Sequence, residues 1–95
     1  MDVEQSAPMR QERLSEHLAY IEQHADRVLS AGPLKNENGV MVGSLFIYDT
    51  EEAAEAWRLL NQDPYASANI WRSCTMLKFQ AAAGTWCGGL SWRQS

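Results

Sequence analysis

Nine consecutive residues, Val40 to Tyr48 (VMVGSLFIY), constrain this chain more than any other stretch. Branched and aromatic side chains there favour a β-strand. Alternation sends Val40, Val42, Ser44, Phe46 and Tyr48 to one face and Met41, Gly43, Leu45 and Ile47 to the other, so both faces are largely apolar. A strand apolar on both sides belongs in the interior of a sheet, with a helix on one side and another subunit expected on the other. The chain has only 95 residues, and a domain of that size buries roughly 60 to 65% of its unfolded surface. Self-association as a homodimer is therefore the expected way to enlarge a modest core.

The flanking elements follow from periodicity and punctuation. Leu14, Leu18, Ile21, Ala25 and Val28 recur at spacings of four and three, which predicts a helix over about 10–25 with one face for burial. His17 lies on the flank of that stripe and His24 two turns further along. A short strand over 28–31 is expected to end at Gly32-Pro33, because proline removes a backbone donor. Asn36-Glu37-Asn38-Gly39 has strong turn chemistry. After the long strand, Asp49 or Thr50 is expected to cap a second helix, with Glu52 completing a capping-box variant. Ala53, Ala56, Trp57 and Leu60 form its predicted packing face, and Asp63-Pro64 stops it. A helical turn over 66–70 and a last strand over 73–79 complete the expected domain, residues 1–80. Residues 81–95 form a Gly- and Trp-containing extension whose rings Trp86 and Trp92 are expected to dock on the body or on a partner.

Charge narrows the partners. The formal net charge is −4 and the pI about 5.0, which argues against nucleic acid because phosphate binding requires clustered Lys and Arg. The sequence shows no evident signal peptide, and no run of 18 nonpolar residues is present to span a membrane. A cytoplasmic protein is expected, with Cys74 and Cys87 as reduced thiols. Two histidines seven positions apart make no zinc signature, and Gly84 to Gly89 lacks the spacing of a phosphate loop, so neither a metal nor a cofactor is expected.

The residues with chemical potential cluster at the breaks. His17 exchanges protons near neutral pH without a metal, which makes it the foremost catalytic candidate; the alternative is a hydrogen-bonded histidine at the edge of an apolar stripe. Asp63 either orients His17 or caps the turn before Tyr65. Ser44, next to Gly43, either holds a substrate oxygen or satisfies a local backbone group. Tyr65 either donates a phenolic hydrogen bond or walls a pocket, and Gly32 with Pro33 shapes an entrance. Arg10 and Arg13 either attract an anionic substrate or lie on a solvated helix face.

Four pieces in order, Arg13-x-x-x-His17-Leu18, Ala31-Gly32-Pro33-Leu34, Gly43-Ser44-Leu45 and Asp63-Pro64-Tyr65-Ala66, resemble the YCII-related (YciI-like) family over about 10–80. The resemblance implies an α+β, ferredoxin-like domain that forms a dimeric α+β barrel through its sheets. It also implies a pocket with a histidine and an aspartate, for which His17 and Asp63 are the matching catalytic pair, and Ser44, Tyr65, Gly32, Pro33 and Arg13 the matching substrate-binding set. The implied activity is cofactor-independent acid-base chemistry, of the dehydrochlorinase or isomerase type, on an oxygenated cyclic or aromatic small molecule. The alternative is a noncatalytic dimeric binding or assembly module. One departure stands out: the family places a strand before the first helix, whereas Asp2 to Ala7 is poor strand sequence, so the first strand is expected to be absent, borrowed or replaced.

Overall fold

The computed structural model describes residues 1–85 and the backbone of 89–90. Helix α1 spans Ala7–Gln23 and a 3-10 turn follows at Ala25–Arg27. Strands β1 (Val28–Lys35) and β2 (Met41–Tyr48) form an antiparallel hairpin. Helix α2 (Ala53–Asn61) and the short helix α3 (Pro64–Ser67) come next, and two-residue strands β3 (Ala83–Gly84) and β4 (Gly89–Leu90) pair beyond them.

The hairpin turn uses its residues as the sequence suggests. Asn36 Oδ1 accepts from Asn38 N (2.9 Å) and Val40 N (3.0 Å), and Gly39 takes a φ of 78°, a left-handed conformation that a side chain disfavours. Strand β1 runs four residues past its expected end. Pro33 is tolerated because β1 is an edge strand, paired among the described residues with β2 alone, with Pro33 opposite Ser44. The start of α2 also differs from the capping box: Glu52 is the N-cap and its side chain makes no cap bond. Thr50 Oγ1 instead accepts from Glu52 N and donates to Glu55 Oε2, both at 3.1 Å.

The expected dimeric α+β barrel is overturned. Among the described residues the main sheet has two strands, β1 and β2, and does not close; a barrel requires every strand to be paired on both edges. What remains of the ferredoxin-like expectation is the order α1-β1-β2-α2, with residues Met1 to Val3 laid beside β2. Asp2 N donates to Val42 O (2.9 Å), Val3 N to Ile70 O (2.7 Å) and Arg72 N to Met1 O (2.8 Å), and Asp2 forms a single bridge with Trp71. The last rung is Met1 N to Ser73 O at 2.8 Å. Beyond it the expected strand over 73–79 does not form. No facing strand is present there among the described residues, and Leu77 (85% exposed) and Phe79 (66%) have no layer to pack on.

The core is small and sits at the α2–α3 corner, where Ala56, Leu59, Leu60, Tyr65 and Ile70 are buried. Trp57 and Ala53, expected on the packing face of α2, are half-buried and exposed, and Leu59 takes the central place. Tyr20 Oη donates to Leu59 O at 2.6 Å and ties α1 to this corner. The apolar stripe of α1 is not sealed as expected: Leu14 is 45% and Leu18 50% exposed, because they face an open cavity between α1 and the hairpin. The docking expected of the 84–92 tail rests on Trp86 and Trp92, which lie outside the described residues.

Candidate functional site

Between α1 and the hairpin lies a cavity of about 220 Å³. Leu14, Leu18 and Ile21 from α1 and Ala31, Met41 and Phe46 from the hairpin give it apolar walls. Polar groups enter at two places along one face of α1. Arg10 and His17 are seven residues apart, two turns or about 10.5 Å along the axis, and both line the cavity.

At the His17 end, Asp63 is fully buried and its two carboxylate oxygens each lie 2.8 Å from His17 Nδ1. A carboxylate only accepts, so Nδ1 carries a proton, and whenever the ring is neutral its lone pair is on Nε2. Nε2 has no hydrogen-bond partner among the described residues, and His17 lines the cavity. The same Asp63 caps α3 by accepting from Tyr65 N at 2.9 Å. One side chain thus contacts both His17 and the start of α3, and Pro64 at the first helical position fixes the turn that carries it. The imidazole stacks on the Tyr65 ring at 3.9 Å with 6° between planes, and Phe46 meets its edge at 6.1 Å. These contacts lock the ring orientation. Burial first, and the Asp63 charge next, push the hydroxyls of Tyr20 and Tyr48 upward, so the phenols near Asp63 stay protonated at neutral pH.

At the other end, Arg10 is 7% exposed although it lies on a helix that otherwise buries nothing fully. Its Nε and Nη2 grip Asp2 at 2.7 and 2.9 Å, and Nη2 also donates to Gly43 O and to Ser44 Oγ, both at 2.8 Å. Ser6 Oγ donates to Asp2 Oδ2 at 2.6 Å. Burial alone would raise the Asp2 carboxyl, but hydrogen bonds from Arg10 and Ser6 outweigh it and hold the group below its ordinary value. The guanidinium also lies 5.4 Å from the Tyr65 ring centroid, so Tyr65 is a floor shared by Arg10 and His17.

Of the sequence-predicted residues, His17, Ser44, Tyr65, Gly32 and Pro33 line one cavity, and Asp63 stands directly behind His17. The Tyr65 hydroxyl is committed to Arg10 O at 3.2 Å, so Tyr65 contributes its ring and not a donor. Arg13 is not brought in: it does not line the cavity and lies half-exposed beside Glu16 at 3.3 Å. The basic residue in the cavity is Arg10. Its signal was present in the sequence, since positions 10, 14, 17, 18 and 21 share one helical face and Arg10 is the charged member of that stripe. Among the described residues no three His, Cys, Asp or Glu side chains converge as a metal site, and no helix is long and apolar enough to cross a membrane.

The YCII-related domain matches residues 1–80 of the chain. Among solved structures, the 5-chloro-2-hydroxyhydroquinone dehydrochlorinase of Burkholderia phenoliruptrix, in complex with 2,5-dihydroxybenzoquinone, superposes with a TM-score of 0.74 at 22% identity, over 90% of each chain. At that identity the likeness is one of fold. No curated protein matches the chain.

Proposed function

The chain belongs to the YCII-related domain family, and from that premise we propose that it is a cofactor-independent acid-base enzyme for a small, oxygenated cyclic or aromatic compound. The observation that carries this reading is the His17–Asp63 pair: a buried carboxylate fixes a proton on Nδ1 and leaves Nε2 without a hydrogen-bond partner among the described residues, on a side chain that lines a cavity with apolar walls. A neutral imidazole held in that tautomer takes a proton from a bound molecule, and Asp63 stabilises the imidazolium that results. The flat Tyr65 floor and the leucine walls suit a ring of quinol size. The solved relative is a dehydrochlorinase bound to a hydroxylated quinone, which supports dehydrochlorination or isomerisation of such compounds as the reaction type. All the lining residues fall within 1–80, so that segment is the proposed catalytic domain and 81–95 its extension.

Two assays test this. Chloride release from 5-chloro-2-hydroxyhydroquinone reads elimination, and exchange of ring hydrogen for deuterium in 2-hydroxyhydroquinone, followed by proton NMR in D2O, reads bare proton transfer. The wild-type chain is expected to accelerate at least one, and His17→Gln to abolish it while keeping the fold. Full turnover in His17→Gln would defeat the role of His17. Binding of both compounds with neither reaction would identify a noncatalytic binding module instead.

A further inference from the structure

The chain past Ser73 carries backbone groups that nothing in the fold uses. Residues 74–82 run without turn or bend and make no backbone hydrogen bond among the described residues. The rungs before them fix the direction in which those groups lie. In an antiparallel ladder, residues of one parity turn both backbone groups to one flank, and residues of the other parity turn theirs to the opposite flank. Ile70 O and Arg72 N are spent on Val3 N and Met1 O, so Thr75, Leu77 and Phe79 present theirs to the far flank, away from the N-terminal segment. The side chains of these three residues also share one face of the segment, and that face is bare: Leu77 is 85% and Phe79 66% exposed. Natural sheets guard an open edge with charges, proline or bulges. Residues 73–83 hold no proline, no glycine and one charge, Lys78. An edge left so bare accepts another strand.

We propose that this flank pairs with the same flank of a second copy, antiparallel across a two-fold axis at Leu77, so that two sheets join edge to edge into one open sheet that closes no barrel. The occupant follows from the segment's own sequence. A two-fold contact pairs residue i of one copy with j of the other, and j with i. With the axis at Leu77, the two Leu77 residues face each other, Thr75 faces Phe79, and Met76 faces Lys78. All three residues whose groups lie on the far flank then find partners, about six hydrogen bonds in all. Leu77 and Phe79 of both copies meet on one face. The neighbouring registers each lose something. An axis at Lys78 sets two ammonium groups opposite each other, which destabilises a strand pair. An axis at Met76 sets Phe79 opposite Ser73, whose carbonyl already accepts from Met1 N at 2.8 Å. The one charge of the segment thus stands where self-pairing tolerates it. Two strands of this length cover less than the about 800 Å² per partner of a standard interface, so the contact is a reversible one.

Disulfide trapping reads the register. In a Cys74→Ser, Cys87→Ser chain, which lacks the native thiols, Leu77→Cys sets two thiols across the axis, where facing Cα atoms lie about 5.5 Å apart, within disulfide reach. Thr75→Cys sets its two thiols four residues out of step, on the order of 14 Å apart. Under mild oxidation Leu77→Cys is expected to form a covalent dimer at least about 10-fold faster than Thr75→Cys. A mixture of Thr75→Cys and Phe79→Cys chains is expected to yield the mixed dimer faster than either alone yields its own. Sedimentation of the chain with its native thiols, under reducing conditions, gives the equilibrium: Leu77→Lys is expected to weaken the dimer at least about 10-fold. Leu77 is 85% exposed, so neither substitution threatens the fold. Leu45→Lys, on the outer face of the hairpin, is expected to leave the trapping rate of Leu77→Cys unchanged. Equal trapping at positions 75 and 77 would mean random collision and would overturn the proposal. Trapping at 77 that Leu45→Lys removes would assign the contact to the hairpin face and overturn it equally.

Discussion

Asp63→Asn separates two functions that one carboxylate performs. In the wild-type protein Asp63 accepts from Tyr65 N at 2.9 Å and from His17 Nδ1 at 2.8 Å. Asparagine keeps an oxygen for Tyr65 N, so the cap of α3 survives. Its amide nitrogen takes the place of Oδ2, 2.8 Å from His17 Nδ1, where it can only donate and so disfavours a proton on Nδ1, and the ring is expected to carry its proton on Nε2. The expected stability loss is about 1 kcal/mol, the difference between a charge-assisted and a neutral hydrogen bond. Asp63→Ala removes the cap, about 0.5 to 2 kcal/mol, and also the charged hydrogen bond, about 1.5 to 3 kcal/mol. Its total of roughly 2 to 5 kcal/mol is a large share of the about 5 to 15 kcal/mol that holds a domain together. At about 4 to 8 °C per kcal/mol, Asp63→Asn shifts Tm by one such step and Asp63→Ala by several. The decisive assay needs no substrate: the nitrogen chemical shifts of His17, read through long-range proton–nitrogen NMR, report which ring nitrogen is protonated. The expected outcome is a switch from Nδ1–H to Nε2–H in Asp63→Asn, accompanied by a loss of proton-transfer activity on the order of 10² to 10⁴-fold. A His17 ring that keeps its proton on Nδ1 in Asp63→Asn, or equal Tm losses for the two substitutions, would refute the assignment.

Acid sensitivity should trace to Asp2. Its folded-state pKa lies below the ordinary 3.8, so its contribution is complete above that value and is lost as pH falls through the lower folded value. Urea unfolding at neutral pH and near pH 3 should therefore show a smaller acid-induced loss in Asp2→Asn than in the wild-type chain, and an equal loss would contradict the ion pair. Gly39→Ala forces a side chain into a φ of 78° at the hairpin turn and should cost about 1 kcal/mol, whereas Gly32→Ala, with no atom within 4 Å of the new methyl, should be nearly neutral in thermal melts. The outer face of the hairpin leaves Leu34 and Leu45 exposed; sedimentation across a concentration series should detect self-association, weakened by Leu45→Lys, and a monomer throughout would count against it.

Legibility in the sequence followed the range of each interaction. β2 and α1 were readable because their signals are periodic and local, and the turn at Asn36 to Gly39 because its bonds close within four residues. The His17–Asp63 contact joins positions 46 apart, and it was reached through the order of the four family pieces, not through any pattern in either segment. Arg13 is the basic residue of the family piece Arg13-x-x-x-His17-Leu18, yet Arg10, about 60° away around the helix, is the one that lines the cavity. Asp2 carried no signal at all: its value lies in a guanidinium that arrives from the next element. The strand expected over 73–79 illustrates the reverse error. Its side chains suit a strand, but a ladder exists only where a neighbour offers donors and acceptors, and its rungs end at Ser73.

Pro33 has a consequence for how copies of this chain meet in a crowded solution. Among the described residues β1 leaves one flank of the hairpin without a ladder neighbour, and open flanks of this kind invite the stacking of chain upon chain that ends in fibrils. A proline in the middle of that flank offers no amide hydrogen to an incoming strand, and the irregular register on either side of it, between Val28 and Ser30 and between Leu34 and Lys35, spoils a straight template. Pro33, which lines the cavity, thus also guards the protein's colloidal behaviour, and replacing it would expose a sticky seam.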